Sequence, residues 1–87
     1  MDGDGFVAIR AQDFDGTRRV ALDSVPRSAT VGEVVVECVR ALQLPFQNFY
    51  HALFRGRELP HADTLAEAGL RSGEEALIEL VAEVSAG

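Results

Sequence analysis

The chain has 87 residues, 47% hydrophobic and 25% charged, with a formal net charge of -6; this is enough for one small core and excludes a second domain. The acidic balance makes attraction to phosphate backbones or anionic lipid unfavourable, so protein partners are expected, with no nucleic acid and no membrane. One Cys, Cys38, allows no internal disulfide and has no second Cys for a zinc site, so redox, metal and cofactor roles are not expected.

No apolar run approaches a membrane span, and Met1-Asp2-Gly3-Asp4 lacks the features of a signal peptide, so a cytoplasmic monomer is expected. All 8 basic side chains are Arg, with no Lys anywhere, as a GC-rich genome tends to encode. Residues 1–5 read as a flexible N-terminus, 6–81 as the domain and 82–87 as a tail.

Phe6 to Gln12 alternates as a strand, with Val7 and Ile9 on one face and Ala8 and Arg10 on the other. Asp13-Phe14-Asp15-Gly16 is a turn, because Gly accepts a positive φ and Asp bonds its own backbone. Thr17 to Val25 returns with Val20 and Leu22 inward, and the apolar phase slips between Leu22 and Val25, which predicts a bulge at Asp23-Ser24. Thr30-Val31-Gly32-Glu33 is a capping box that starts a helix. Val31, Val34, Val35, Cys38, Val39 and Leu42 form its apolar stripe, which makes Cys38 a core thiol. Pro45 ends the helix, and Phe46 to Phe49 is a connection whose two aromatic rings are expected to plug the core.

Tyr50 to Arg55 is a strand, with Ala52 and Phe54 on one face and His51 and Leu53 on the other. After the Gly56 turn, Leu59 and Leu65 anchor a loop capped by Asp63 or Thr64, and Leu65 to Leu70 adds one helical turn. Ser72-Gly73-Glu74 turns into a last strand, Ala76 to Val81, with Ile78 and Leu80 inside and Leu77, Glu79 and Val81 outside. The sum is α+β: a mixed sheet of four to five strands packed on one α-helix.

No constellation of nucleophile, acid, base or metal ligands emerges, so the chain is not expected to be an enzyme. Asp13 and Asp15 read as turn formers, and His51 and His61 as surface side chains.

Gly56, Arg57, Leu59, Thr64, Leu65 and Leu70 stand, without a gap, where ubiquitin and its relatives have a turn Gly, a basic residue, Leu, a Thr-Leu pair and an Ile. Val31, Val34, Cys38, Leu44 and Pro45 match that family's helical positions and closing Pro. The chain therefore resembles the ubiquitin superfamily, in particular its bacterial ubiquitin-like members, and the resemblance implies a β-grasp fold from Phe6 to Gly87. The departures are a longer first turn, one residue near Phe46 to Phe49 and two around Glu75-Ala76.

The resemblance also implies function. Leu53 and Val81, with Phe14 beside them, fall where ubiquitin has its partner-binding apolar patch, and Arg10, His51 and Arg57 match its basic rim. Ala82-Glu83-Val84-Ser85-Ala86-Gly87 runs to the family's final Gly, which implies a protein modifier joined to targets by an isopeptide bond at Gly87. Its partners would be adenylating and conjugating enzymes, an isopeptidase and target proteins. Glu83, Val84, Ser85 and Ala86 would be the recognised tail. Ubiquitin carries two Arg and a Gly where this chain has Glu83, Ser85 and Ala86, so a standard activating enzyme should reject it. Arg57 replaces a linkage Lys. The alternative is a binding module that is never conjugated, such as a type VII secretion accessory protein. A sulfur carrier normally ends in Gly-Gly, and Ala86-Gly87 weakens that reading.

Overall fold

The computed structural model describes residues 5–13, 15–45 and 49–83. Among them the strands β1 (Phe6–Asp13), β2 (Arg19–Pro26), β3 (Tyr50–Phe54), β4 (Arg57–Leu59) and β5 (Glu75–Ala82) form one sheet in the order β2-β1-β5-β3-β4. β1 and β5 pair in parallel at its centre, and the other neighbours are antiparallel. The helix α1 (Val31–Leu42) lies against one face.

Helix α1 buries the six predicted stripe residues, Val31, Val34, Val35, Cys38, Val39 and Leu42. They meet Val7, Ile9 and Ala11 of β1, Ala52 and Phe54 of β3 and Ala76, Ile78 and Leu80 of β5 in one apolar cluster. β2 is an edge strand, so Val20 and Leu22 are only partly covered. Val7 pairs with Val25 and Ile9 with Leu22, so Asp23 and Ser24 oppose Ala8 alone; the bulge sits where the apolar phase slips.

Every backbone donor at the start of α1 has an acceptor. Val31 N–H donates to the Asp63 carbonyl at 2.8 Å, Gly32 N–H to the His61 carbonyl at 3.0 Å and Glu33 N–H to the Thr30 hydroxyl at 3.1 Å. The Glu33 carboxylate accepts from Thr30 N–H at 2.9 Å. A second box, not predicted as such, caps the loop turn: Glu67 N–H donates to the Thr64 hydroxyl and Thr64 N–H to the Glu67 carboxylate. Of the two predicted caps, Thr64 is the one used. The segment from Leu65 to Leu70 is a turn and not a helix, held by Ala68 N–H to the Thr64 carbonyl at 2.9 Å and Leu70 N–H to the Leu65 carbonyl at 3.0 Å.

The other end of α1 closes on Gln43 in the left-handed region, φ 58°. Gln43 N–H donates to Arg40 and Leu44 N–H to Val39, the paired bonds of a Schellman stop. The Arg18 guanidinium adds donors to the Leu42 and Gln43 carbonyls, at 3.2 and 3.1 Å. Asp13 and Asp15 are turn formers, as expected: both accept from the Thr17 hydroxyl, Asp13 also from Arg18 N–H and Asp15 from Thr17 N–H. The Thr17 amide, then its hydroxyl, hold the Asp15 carboxyl below its ordinary pKa.

The aromatic connection departs from expectation. Phe46 lies outside the described residues, and Phe49 is 54% exposed instead of plugging the core. Alternation explains this: Tyr50 turns inward at the start of β3, so Phe49 leaves on the outer side with His51. Its ring stands edge-on to His51 at 5.2 Å and tilts over His61 at 5.0 Å. The two His are consequently half-buried in this cluster and are not simple surface side chains.

Two outcomes are expected. Thr30→Ala and Thr64→Ala should each lower the unfolding free energy by about 1 kcal/mol in urea titrations, with unchanged m. Burial, and to a lesser degree Glu37, push the Cys38 thiol up to about 11 from 9.0. A thiol pKa raised in the folded state favours folding below pH 9, and that contribution falls away as pH rises from 9 towards 11. Cys38 should resist thiol reagents at pH 8 until the chain unfolds, and stability should drop across that alkaline window.

Candidate partner-binding face and tail

The face of the sheet opposite α1 carries the outward residues of all five strands. In antiparallel pairs the residue directly opposite and the two diagonal ones are side-chain neighbours. Leu53 pairs with Glu79, which makes Leu77 and Val81 its two diagonal neighbours across β5. Leu53 and Val81 are half-buried, and Leu77 is 58% exposed. The register therefore places three apolar side chains around one carboxylate, Glu79. Leu77 was legible as outward from the alternation of β5, yet only the register joins it to Leu53.

The predicted basic rim takes a different form. Arg10 is on this face beside Leu77, its register partner, but its guanidinium is 2.8 Å from the Glu75 carboxylate. His51 pairs with Val81 and has the Glu58 carboxylate 2.5 Å from Nδ1 and the Glu83 carboxylate 3.1 Å from Nε2. The Glu58 contact lacks the alignment of a hydrogen bond, whereas the Glu83 contact has it. Arg57 pairs with Phe54, whose side chain enters the core, so it leaves the sheet on the side away from Leu53 and lines a groove with Ala68 and Gly69. The apolar face thus has Glu79 within it and Glu58, Glu75 and Glu83 at its margin. Arg10 and His51 are matched to carboxylates and Arg57 is elsewhere.

The acidic surround selects the chemistry of a partner. A partner of this face would offer apolar side chains flanked by Arg or Lys, since like charges set against the four carboxylates are disfavoured. A further depression on the same face lies between Arg19 and Ala21 of β2 and Leu77 of β5. Phe14, placed beside the patch by sequence, lies outside the described residues.

At the tail, β5 runs to Ala82, which pairs with Tyr50, and Glu83 N–H donates to the Phe49 carbonyl at 2.7 Å. Glu83 thus continues the ladder by one rung. Val84, Ser85, Ala86 and Gly87 lie outside the described residues. Among the described residues no group of three or more His, Cys, Asp or Glu side chains is placed to hold a metal ion. No helix among them is long and apolar enough to cross a membrane.

No protein-family model matches the sequence, and no curated protein does. Solved structures match in fold. A ubiquitin from Caldiarchaeum subterraneum superposes with a TM-score of 0.74 at 24% identity, over 95% of this chain and 100% of the other. A protein designed on the basis of ubiquitin gives 0.75 at 25% identity, over 93% of each. The UBL domain of Plasmodium falciparum Dsk2 gives 0.70 at 17%, over 90% of this chain and 99% of the other. The fold is the ubiquitin-like β-grasp, and domains of this fold generally interact with proteins.

Leu53→Ala tests the face. Because Leu53 is half-buried, the substitution should cost about 1 kcal/mol of stability while weakening capture of protein partners about tenfold. Calorimetric unfolding and pull-down read the two effects, and an undiminished set of partners would remove Leu53 from the binding face.

Proposed function

We propose that this chain is a ubiquitin-like protein modifier of bacterial type, acting in the cytoplasm, with Gly87 as the residue joined to target proteins. The observation that supports this reading is the match in fold over 95% of this chain and 100% of the Caldiarchaeum subterraneum ubiquitin. β5 delivers the chain to Glu83 at one end of the apolar face, with four residues left to Gly87.

The chemistry asks little of the domain itself. The Gly87 carboxylate attacks the α-phosphate of ATP on an adenylating enzyme and releases pyrophosphate; an enzyme thiolate then displaces AMP to form a thioester. A target amine displaces the thiol, which takes up a proton. Gly at the reacting end lets the backbone enter a narrow channel without a Cβ. The chain supplies recognition: the face around Leu53, Leu77 and Val81, and the acidic tail base at Glu83. Glu83 supports a dedicated activating enzyme with complementary cations.

A non-conjugated binding module is favoured by a different observation. Glu83 is engaged by His51 and by Phe49, so the start of the tail is part of the domain surface. The same apolar face would then serve partners without any covalent step.

The test is to incubate the chain with a cognate adenylating enzyme, ATP and lysate. Wild type should form a thioester and a ladder of conjugates, and deletion of Gly87 should abolish both. Mass spectrometry should find no branched peptide joining two copies, because the sequence has no Lys to accept one. Equal ladders from both chains, or none from either with a verified enzyme, would establish the binding-module reading instead.

A further inference from the structure

We propose that His51 is a protonation-controlled latch on the base of the tail: as an imidazolium it bridges Glu58 and Glu83 and holds Glu83 in the sheet, and as a neutral ring it lets that last rung open. The proposal stands whether or not Gly87 is conjugated.

The geometry is a chain of contacts across three elements. His51 lies on β3, Glu58 on β4 and Glu83 one residue beyond β5. Nε2 makes the aligned contact, to the Glu83 carboxylate at 3.1 Å, while Nδ1 lies 2.5 Å from the Glu58 carboxylate without hydrogen-bond alignment, so Glu58 acts through charge. Phe49 packs its ring edge-on to the imidazole, and its carbonyl accepts from Glu83 N–H at 2.7 Å. The residue that walls the imidazole therefore also holds the rung, so the side-chain contact and the main-chain bond reinforce each other. On its other side Phe49 covers His61, the second titratable ring of the cluster. Glu79, at the other diagonal position from His51 on β5, adds a third carboxylate to the surroundings.

The sign is set by the number of protons. An imidazolium carries a positive charge between the two carboxylates and makes its Nε2–H bond to Glu83 a charge-assisted one. A neutral ring loses that charge in either tautomer: protonated on Nδ1 it turns a lone pair towards Glu83, and protonated on Nε2 it keeps only a weaker, neutral-donor bond to Glu83. Glu58 and Glu83 are both more than half exposed, so screening keeps each contact modest, and the rung shifts its population without the domain unfolding.

The experiment uses the full chain and no other protein. Solution NMR from pH 5 to 8.5 follows the His51 ring protons together with the heteronuclear NOE and the exchange protection of the Glu83 amide. As His51 loses its proton, the Glu83 NOE should fall and its protection factor should drop about threefold with the same midpoint. His51→Gln should give the open rung at every pH, and Glu83→Gln should remove the pH dependence; intact spectra elsewhere confirm that both fold. A Glu83 rung that keeps its NOE and protection while His51 titrates would overturn the latch. So would a Glu83→Gln chain with the full wild-type transition. Because no activating enzyme is present, failure here is separate from failure of the modifier reading, which the Gly87 deletion decides.

Discussion

The fold depends on how the first turn of α1 is joined to the loop that crosses beneath it. A helix start leaves several N–H groups without partners inside the helix, and burying them unpaired costs about 1–3 kcal/mol each. Here the Asp63 and His61 carbonyls take the first two, at Val31 and Gly32. The exchange runs both ways: Leu65 N–H donates to the Ala29 carbonyl at 2.9 Å and Ala66 N–H to the Arg27 carbonyl at 3.1 Å. Gly32 suits this closeness, because a Cβ there would lie 3.3 Å from the His61 carbonyl oxygen, tight enough that the loop would have to shift by a few tenths of an ångström. The loop residues Leu65 and Leu70, 2% and 0% exposed, are thereby drawn under the helix to complete the core.

With that joint made, the outer face is set by strand register. The register of β3 is fixed at one end by the Arg55-Gly56 turn, where both residues have positive φ, 54° and 77°, as a two-residue hairpin requires. A slip of one residue would send Ala52 and Phe54 outward and Leu53 into the core. The same turn that packs Phe54 inside therefore places Leu53 against Leu77 and Val81, and His51 between Glu58 and Glu83. Core and candidate site are two faces of one register.

Much of this was legible in the sequence. The Thr30–Glu33 box and the stripe through Cys38 located α1, because capping and a 3.6-residue period are local properties. The bulge at Asp23-Ser24 was legible as a phase slip in β2. The rim was not. Arg10, His51 and Arg57 were assigned to the apolar face by resemblance, but the charge around a face depends on which carboxylates the strand register brings alongside. Glu75, Glu58 and Glu83 come from other strands or strand ends, and no spacing along the chain announces them. Phe49 failed for a related reason: in a short connection, inward or outward depends on where the next strand begins its alternation. The second box at Thr64 and Glu67 had a local signature, and only Thr64 was read from it.

The central pairing of the sheet has a mechanical consequence. β1 and β5, the first and last strands, lie side by side and parallel from Ala8–Glu75 to Asp13–Leu80. Pulling the two ends of the domain apart therefore slides one strand along the other, so the bonds of the ladder share the load and must rupture together. A hairpin pulled at its open end would instead peel one bond at a time. A molecular motor that grips the end beyond Glu83 meets this sheared clamp before it reaches the helix or the outer strands. The chain's resistance to forced unfolding is thus set by a short stretch of backbone near the middle of the sheet, and much less by the depth of the core.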